Sequence, residues 1–335
     1  MSNSFNARFA MTLALVFVVG LPATVRAFQE DERAKAEVQD IAKSIGAAMN
    51  FTESPHFTFC TSMSSAQVGP ILGAAEKAYG LWAKHVGSDN WRSLWAEQKA
   101  MVVICPSKRE YQRYLKWYAD KYPVWSAEEF VKGHSQAQWF PEPATRNVLG
   151  THHKPHSEDF LKQIVVHLVG HMIIDRYAFN NNFTPAWLRE GMGMWMEAQV
   201  LDGASCACYQ GAYGLRGKDA DRGKQGLPRA KLHTRVKNAI TKHEGKNTKG
   251  ITVLAALDQL SFDDMLTSYA LIDWMMSQPK GLANFLRAMK QGWPAEVVPG
   301  HLPAKTAAQE KAFKKVFDMT FEQVDEALQE HVKTL

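Results

Sequence analysis

The chain has 335 residues, of which 46% are hydrophobic and 22% are charged, a composition typical of a globular protein with one large or two small domains. Its 39 basic and 34 acidic residues give a formal net charge of +5. This near balance excludes a protein that binds nucleic acid or another polyanion through its overall charge.

Residues 1–27 have the pattern of a secretory signal peptide. Arg8 precedes the apolar run MTLALVFVVGLPA, and Val25 and Ala27 are the small residues expected before a cleavage site directly after Ala27. A retained membrane anchor is the less favoured alternative, because the apolar run is shorter than the roughly 20 residues that a transmembrane helix needs. We therefore expect an exported protein, periplasmic or extracellular, without a transmembrane span after cleavage.

The chain that follows predicts a small sheet with helices packed on it. Residues 28–52 contain an amphipathic N-terminal helix, and a core of residues 53–200 comes next. In this core the strand HFTFCTS, the helix AQVGPILGAAEKAYGLWAKHV, the strand AMVVICP and the helix KREYQRYLKWYADKY alternate, before a hairpin from SQAQWF to NVLGTH. From Ser157 onward the chain is predicted to be almost wholly helical, so the fold class is α+β with a small N-terminal mixed sheet.

Four cysteines follow the expected cleavage site, in a compartment that permits disulfides. Cys60 and Cys105 each end a predicted strand, so a disulfide between them is geometrically possible if the two strands are neighbours in one sheet. Cys206 and Cys208 form a Cys-x-Cys pair without the second pair of a structural zinc site. For these two, a disulfide or free thiols are favoured over metal ligation.

The first helix after Ser157 carries two histidines four residues apart, His167 and His171, in the run QIVVHLVGHMII. Residues at this spacing lie about 5–6 Å apart on one helix face, so both imidazoles can reach one zinc ion at about 2.0–2.1 Å. Spacing alone is weak evidence, because His152 and His156 form a second such pair across a proline, where no helix is expected.

The segment TPAWLREGMGMWMEA, residues 184–198, provides further evidence for a metal site. A new helix begins at its proline, and Glu190 follows His171 with 18 residues between them. Here the sequence resembles the gluzincin metallopeptidases, in which His-Glu-x-x-His on one helix and a glutamate on the next bind zinc. It looks most like the peptidase MA-like branch, whose second helix commonly reads Pro-x-Trp-Leu-x-Glu-Gly. The matching residues are Pro185, Trp187, Leu188, Glu190 and Gly191.

This resemblance implies a gluzincin-like (zincin) fold with a metal-site helix pair and a helical C-terminal part. It also implies that His167, His171 and Glu190 are zinc ligands, and it makes Tyr269, in the run SYALID, a weaker candidate for a residue near the site. Two alternatives stay open for the histidines: zinc ligands, or satisfied core histidines left after metal binding was lost. Asp175 is a weak candidate for an acceptor behind the ligands, although a solvated helix residue is favoured.

The sequence departs from the family pattern at Leu168, which stands where the family has its catalytic glutamate. A positioned general base contributes about 10²- to 10⁴-fold to a rate, and leucine cannot accept a proton. No residue is therefore assigned as catalytic. A base supplied by His152 or His153 is the alternative under which the site would still hydrolyse a substrate.

Residues 201–250 are predicted to be a basic insertion before a helical C-terminal subdomain, 251–335. Within it, the stretch from Leu215 to Gly250 has 11 lysines and arginines against three acidic residues. A solvated insertion is favoured over a surface that binds an anionic envelope polymer. Nucleic acid is excluded as a partner, because no aromatic side chains alternate with the charges.

The function expected from these features is that of an exported pseudo-peptidase, catalytically impaired and built around a zinc site, that binds a protein or peptide. The first alternative is an active zinc-dependent hydrolase with a relocated general base. The second is a metal-free envelope interaction module that uses the basic stretch.

Overall fold

The core of the N-terminal half is a mixed sheet of five strands in the order β1-β2-β3-β5-β4. The inner strands β2, β3 and β5 are parallel to one another, and the edge strands β1 and β4 are antiparallel to their neighbours. The strands are β1 Asn50–Glu53, β2 Phe57–Thr61, β3 Ala100–Ser107, β4 Trp139–Glu142 and β5 Val148–Lys154. This computed structural model describes residues 23–95, 98–122, 126–136, 139–142, 148–154, 156–179, 184–204, 227–253, 259–292 and 302–335.

Helices cover both faces of this sheet, which explains why every residue of β2 and the first six residues of β3 are buried. One face packs against α1 (Ala23–Ile45) and α4 (Lys108–Lys121) in a smaller core. The other face packs against α2 (Ser65–Val86) and α6 (Glu158–Ile174) in the larger core. The sheet thus fixes the position of α6, which carries the two histidines of the predicted site.

Beyond α6 the described chain is helical apart from one short ribbon, as expected. A π-helical turn, Asp175–Phe179, continues α6. The remaining elements are α3 Trp91–Leu94, α5 Ala127–Gln136, α7 Ala186–Leu201, the ribbon of β6 Gly203–Ala204 and β7 Leu227–Pro228, α8 Arg229–Thr241, α9 Thr248–Thr252, α10 Phe262–Ser277, α11 Gly281–Gly292, α12 Leu302–Phe317, α13 Phe321–His331 and a closing 3-10 turn Val332–Thr334.

The α+β class and the hairpin of β4 and β5 are confirmed. The N-terminal helix begins at Ala23, before the expected cleavage site, and ends at Ile45, so β1 lies in a segment that was assigned to the helical region. Every helix in the described ranges is too short or too polar to span a bilayer.

The expectation of a solvated basic insertion is wrong for residues 229–241. This stretch is α8, which buries Leu232, Val236, Ala239 and Ile240 in the larger core. The positions recur at helical spacing, and the many lysines and arginines obscure them in the sequence. The other part of the predicted insertion, 205–226 with Cys206 and Cys208, lies outside the described residues.

The possible disulfide between Cys60 and Cys105 is not formed, and both residues are free, buried thiols. They lie on neighbouring strands, but Cys60 is paired with Val103, so Cys105 is displaced by two residues. Diagonal neighbours in a sheet are about 7–8 Å apart, whereas a disulfide needs β-carbons about 3.8 Å apart. Burial also raises the pKa of both thiols, which keeps them protonated.

The contact between α7 and α10 depends on a glycine. A β-carbon at Gly191 would lie 2.6 Å from the backbone oxygen of Ser268 and 2.9 Å from the Ile272 side chain. A backbone oxygen cannot move aside cheaply, so only glycine permits this approach.

We expect Gly191→Ala to lower the free energy of unfolding by about 1–3 kcal/mol, because the added methyl group overpacks the contact between α7 and α10. Gly73→Ala is the matched control, since a β-carbon there meets nothing within 4 Å and alanine favours a helix. Urea denaturation of both variants measures the difference. Equal stabilities would contradict the proposed close contact.

Candidate metal centre

The two predicted ligand histidines lie in the most buried part of α6. The helix begins at the N-cap Ser157, whose hydroxyl accepts a hydrogen bond from the Phe160 backbone N–H at 3.2 Å, and Glu158 and Asp159 favour its first turn. From Ile164 to Ile174 every residue is buried. A helix that is apolar all round must be enclosed by other elements, and here α2, α7 and the sheet enclose it.

Two glycines let α6 and α7 approach closely at the histidines. A β-carbon at Gly170 would lie 3.1 Å from the backbone carbon and oxygen of Met192. A β-carbon at Gly193 would lie 2.5–2.6 Å from three atoms of the His167 imidazole. The space that glycine leaves on α7 is therefore filled by the ring of His167.

His167, His171 and Glu190 come together as predicted, with their ligand atoms all within 4.8 Å of one another. Glu190 Oε2 lies 3.3 Å from His167 Nε2, and Glu190 Oε1 lies 3.3 Å from His171 Nε2. All three side chains are at most 3% exposed. This buried group could hold a metal ion.

A second glutamate fixes the orientation of one ligand ring. Glu197 Oε1 lies 2.6 Å from His167 Nδ1, and both side chains are fully buried. Because a carboxylate can only accept a hydrogen bond, Nδ1 of His167 carries the proton. In the neutral ring the lone pair is then on Nε2, which faces Glu190. A carboxylate behind a histidine ligand is the arrangement that sets the tautomer of histidines in metal sites.

The two 3.3 Å distances fit metal ligands better than hydrogen bonds. Ligands at about 2.0–2.1 Å from a tetrahedral zinc ion lie about 3.3–3.4 Å apart. A charged histidine donating to Glu190 would draw the carboxylate in to about 2.7–2.9 Å, whereas Glu190 Oε2 makes no hydrogen bond within the described residues. The separations therefore suit a small cation between the three side chains.

The charges point the same way. The group brings two buried carboxylates, those of Glu190 and Glu197, beside two buried imidazoles, and burying a carboxylate is costly unless a partner compensates it. Burial, with a smaller contribution from the Arg189 guanidinium, holds the pKa of His171 well below its usual range, so this ring is in the neutral form that ligates metals. The Glu190 carboxylate and this neutral ring belong to a group that could hold a metal ion.

Asp175 is buried, at 1% exposure, but it does not stand behind His171 as the sequence suggested. Its Oδ2 lies 3.2 Å from Nη2 of Arg189. Burial raises the pKa of Asp175, and the guanidinium of Arg189 opposes this rise. The pair connects the end of α6 to the first turn of α7, next to Glu190.

The other candidates do not join the centre. The Tyr269 hydroxyl lies 3.3 Å from His233 Nε2 on α8, and burial raises its pKa, so this tyrosine is packed in the helical part. Nδ1 of His152 donates to the Lys154 carbonyl oxygen, and His153 Nε2 lies 3.4 Å from Ser62 Oγ. Leu168 is buried in the larger core, which leaves no base at the position where the family has one.

The sequence analysis did not identify Glu197, which lies two turns beyond Glu190 on the same helix, as a residue of the site. That separation is the signal that was available, because residues seven apart lie on the same helix face. Gly193 lies between them on this face, three residues after Glu190. Together the three positions form the stripe of α7 that faces the histidines of α6.

We expect Asp175→Asn to lower the free energy of unfolding by about 1–3 kcal/mol, because it leaves the Arg189 guanidinium without its buried partner. The lower part of this range allows for the partial exposure of Arg189, which lets water screen the charge.

Glu32→Gln is the control, since it breaks an exposed pair with Lys35 and should change stability by no more than about 0.5 kcal/mol. Thermal and urea denaturation measure both variants. An Asp175→Asn protein as stable as the control would show that the buried pair does not hold the two helices together.

The chain was compared with models of protein families, with curated proteins and with solved structures, and none of these comparisons gave a match.

Proposed function

We propose that the chain is an exported, gluzincin-like protein that binds zinc through His167, His171 and Glu190 and has lost efficient peptidase chemistry. The observation that carries the proposal is the pair of 3.3 Å contacts from the two Glu190 oxygens to two different imidazoles. Two nitrogens and one carboxylate are a ligand set that suits zinc in sites with an open fourth position.

When bound, zinc in such a site supplies Lewis acidity to a water or to a carbonyl oxygen. The protein would have to accept and return a proton beside it. Leu168 cannot do this, and Glu197 is hydrogen-bonded to the far nitrogen of His167, with the ring between it and the ligand atom. The residues therefore support metal binding and ligand positioning rather than turnover, and we infer a binding protein for a protein or peptide.

The competing reading, an active hydrolase with a relocated base, needs a proton acceptor near the ligands. His152 and His153 make their contacts with Lys154 and Ser62 instead. These contacts favour the proposed binding protein with impaired catalysis over an active zinc-dependent hydrolase.

We expect the purified protein to contain about one zinc per chain, measured by elemental mass spectrometry, and His167→Ala to contain none. Glu190→Gln, which keeps the side-chain volume, should also lose zinc because a neutral amide is a poor ligand. Tyr269→Phe is the control and should retain zinc, since its hydroxyl faces His233. Absence of zinc in the unmodified protein after incubation with excess ion would overturn the proposal.

Restoring the missing carboxylate tests whether Leu168 is the chemical defect. We expect Leu168→Glu to raise zinc-dependent peptide hydrolysis by about 10²- to 10⁴-fold over the unmodified protein, the range of a positioned general base. Leu168→Gln is the matched control, because it has the same size and no basic group. Chelator-sensitive turnover by the unmodified protein at a comparable rate would favour the active hydrolase instead.

A further inference from the structure

A second pair of histidines lies outside the candidate metal centre, where β5 leads into α6. His152 belongs to β5 and is 2% exposed, and His156 directly precedes the N-cap of α6 and is half-buried. Their ring centroids are 4.8 Å apart. The separation in the His167 and His171 pair is 4.7 Å, so both pairs have nearly the same spacing.

The tautomer of His152 is fixed by its own strand. Its Nδ1 lies 2.7 Å from the backbone carbonyl oxygen of Lys154, and a carbonyl oxygen only accepts, so Nδ1 carries the proton. The lone pair of the neutral ring is therefore on Nε2. This nitrogen is buried and makes no hydrogen bond to any residue that the structure describes.

His156 presents a second nitrogen of the same kind. Its Nε2 is also buried and without a hydrogen bond among the described residues, although part of the side chain reaches the surface. Burial lowers the pKa of both rings, that of His156 to about 4, so both are neutral near pH 7. Neutral imidazole is the form that ligates metals, and the exposed side of His156 leaves room for water to complete a coordination shell.

The surroundings select the kind of ion. The ring of Tyr111 packs against His152, with ring centroids 5.6 Å apart. The ring of Phe160 packs against His156, with ring centroids 4.6 Å apart. Among the described residues, no carboxylate acts on either ring: the charged neighbours of His152 are Lys108 and His153, and that of His156 is His152. Hard cations such as Mg²⁺ and Ca²⁺, which need several oxygen ligands, therefore do not suit the pair. Among divalent ions that prefer imidazole, Cu²⁺ binds most tightly.

The pair is separate from the first centre. His152 is paired with Cys105, on the sheet face of the smaller core, whereas α6 packs on the opposite face. His167 lies nine residues after the first residue of α6, which corresponds to about 14 Å along the helix axis. One ion cannot be shared between the two pairs.

We propose that His152 and His156 form a second metal site, which takes a divalent, imidazole-preferring transition-metal ion, with Cu²⁺ bound most tightly.

Equilibrium dialysis of the full chain against Cu²⁺ tests the proposal. We expect the unmodified protein to bind about one Cu²⁺ per chain more than His156→Phe at the same free copper concentration, because phenylalanine keeps the ring contact with Phe160 and has no ligating nitrogen. His153→Phe is the matched control and should bind copper as the unmodified protein does. Zinc at the first centre should be the same in all three proteins, which separates this result from the test of the proposed function.

Electron paramagnetic resonance gives a second measurement, made in a His167→Ala background so that the first centre does not contribute two imidazoles. In that background the copper signal should include a component coupled to the nitrogens of two imidazoles, and this component should be missing when His156→Phe or His156→Ala is added. Equal copper binding by the unmodified protein and His156→Phe would overturn the proposal. An equal loss in His153→Phe would overturn it as well.

Discussion

The candidate centre depends on the close contact between α6 and α7. Gly170 lies against the backbone of Met192, and Gly193 lies against the ring of His167. A larger side chain at either position would separate the helices and withdraw the carboxylates of α7 from the imidazoles of α6. On the other side of α7, Gly191 allows the same close approach to α10. Three glycines thus set the spacing of a three-helix layer, and the ligand distances follow from that spacing.

The electrostatics of the layer follow from the same contact. Asp175 and Arg189 form an ion pair at the junction of the two helices, whereas Glu190 and Glu197 face the imidazole rings of α6. Buried carboxylates are costly to leave uncompensated. If the proposed ion binds between the two helices, its binding and the stability of the helix pair will be linked.

Much of this arrangement could be predicted from the sequence, because it rests on helical spacing. The spacing places His167 and His171 on one face, whereas Glu190 comes from the resemblance to the gluzincin pattern. The seven-residue separation of Glu190 and Glu197 also indicates a shared helix face. The register of the parallel strands could not be predicted from the sequence. A shift of two residues separates Cys60 from Cys105 and prevents a disulfide, and no feature of the composition indicates this shift. The buried face of α8 was hidden by the charged residues between its apolar positions.

The first centre draws all its residues from one short stretch of chain. His167 and Glu197, the outermost of them, are 30 positions apart in sequence. An ion held there acts as a cross-link that closes a short loop, and such a closure removes conformational freedom from the unfolded chain without reaching into the sheet. The helix pair could thus be locked by metal at an early stage of folding, before the distant strands find their partners, because contacts at short sequence separation form faster than long-range ones.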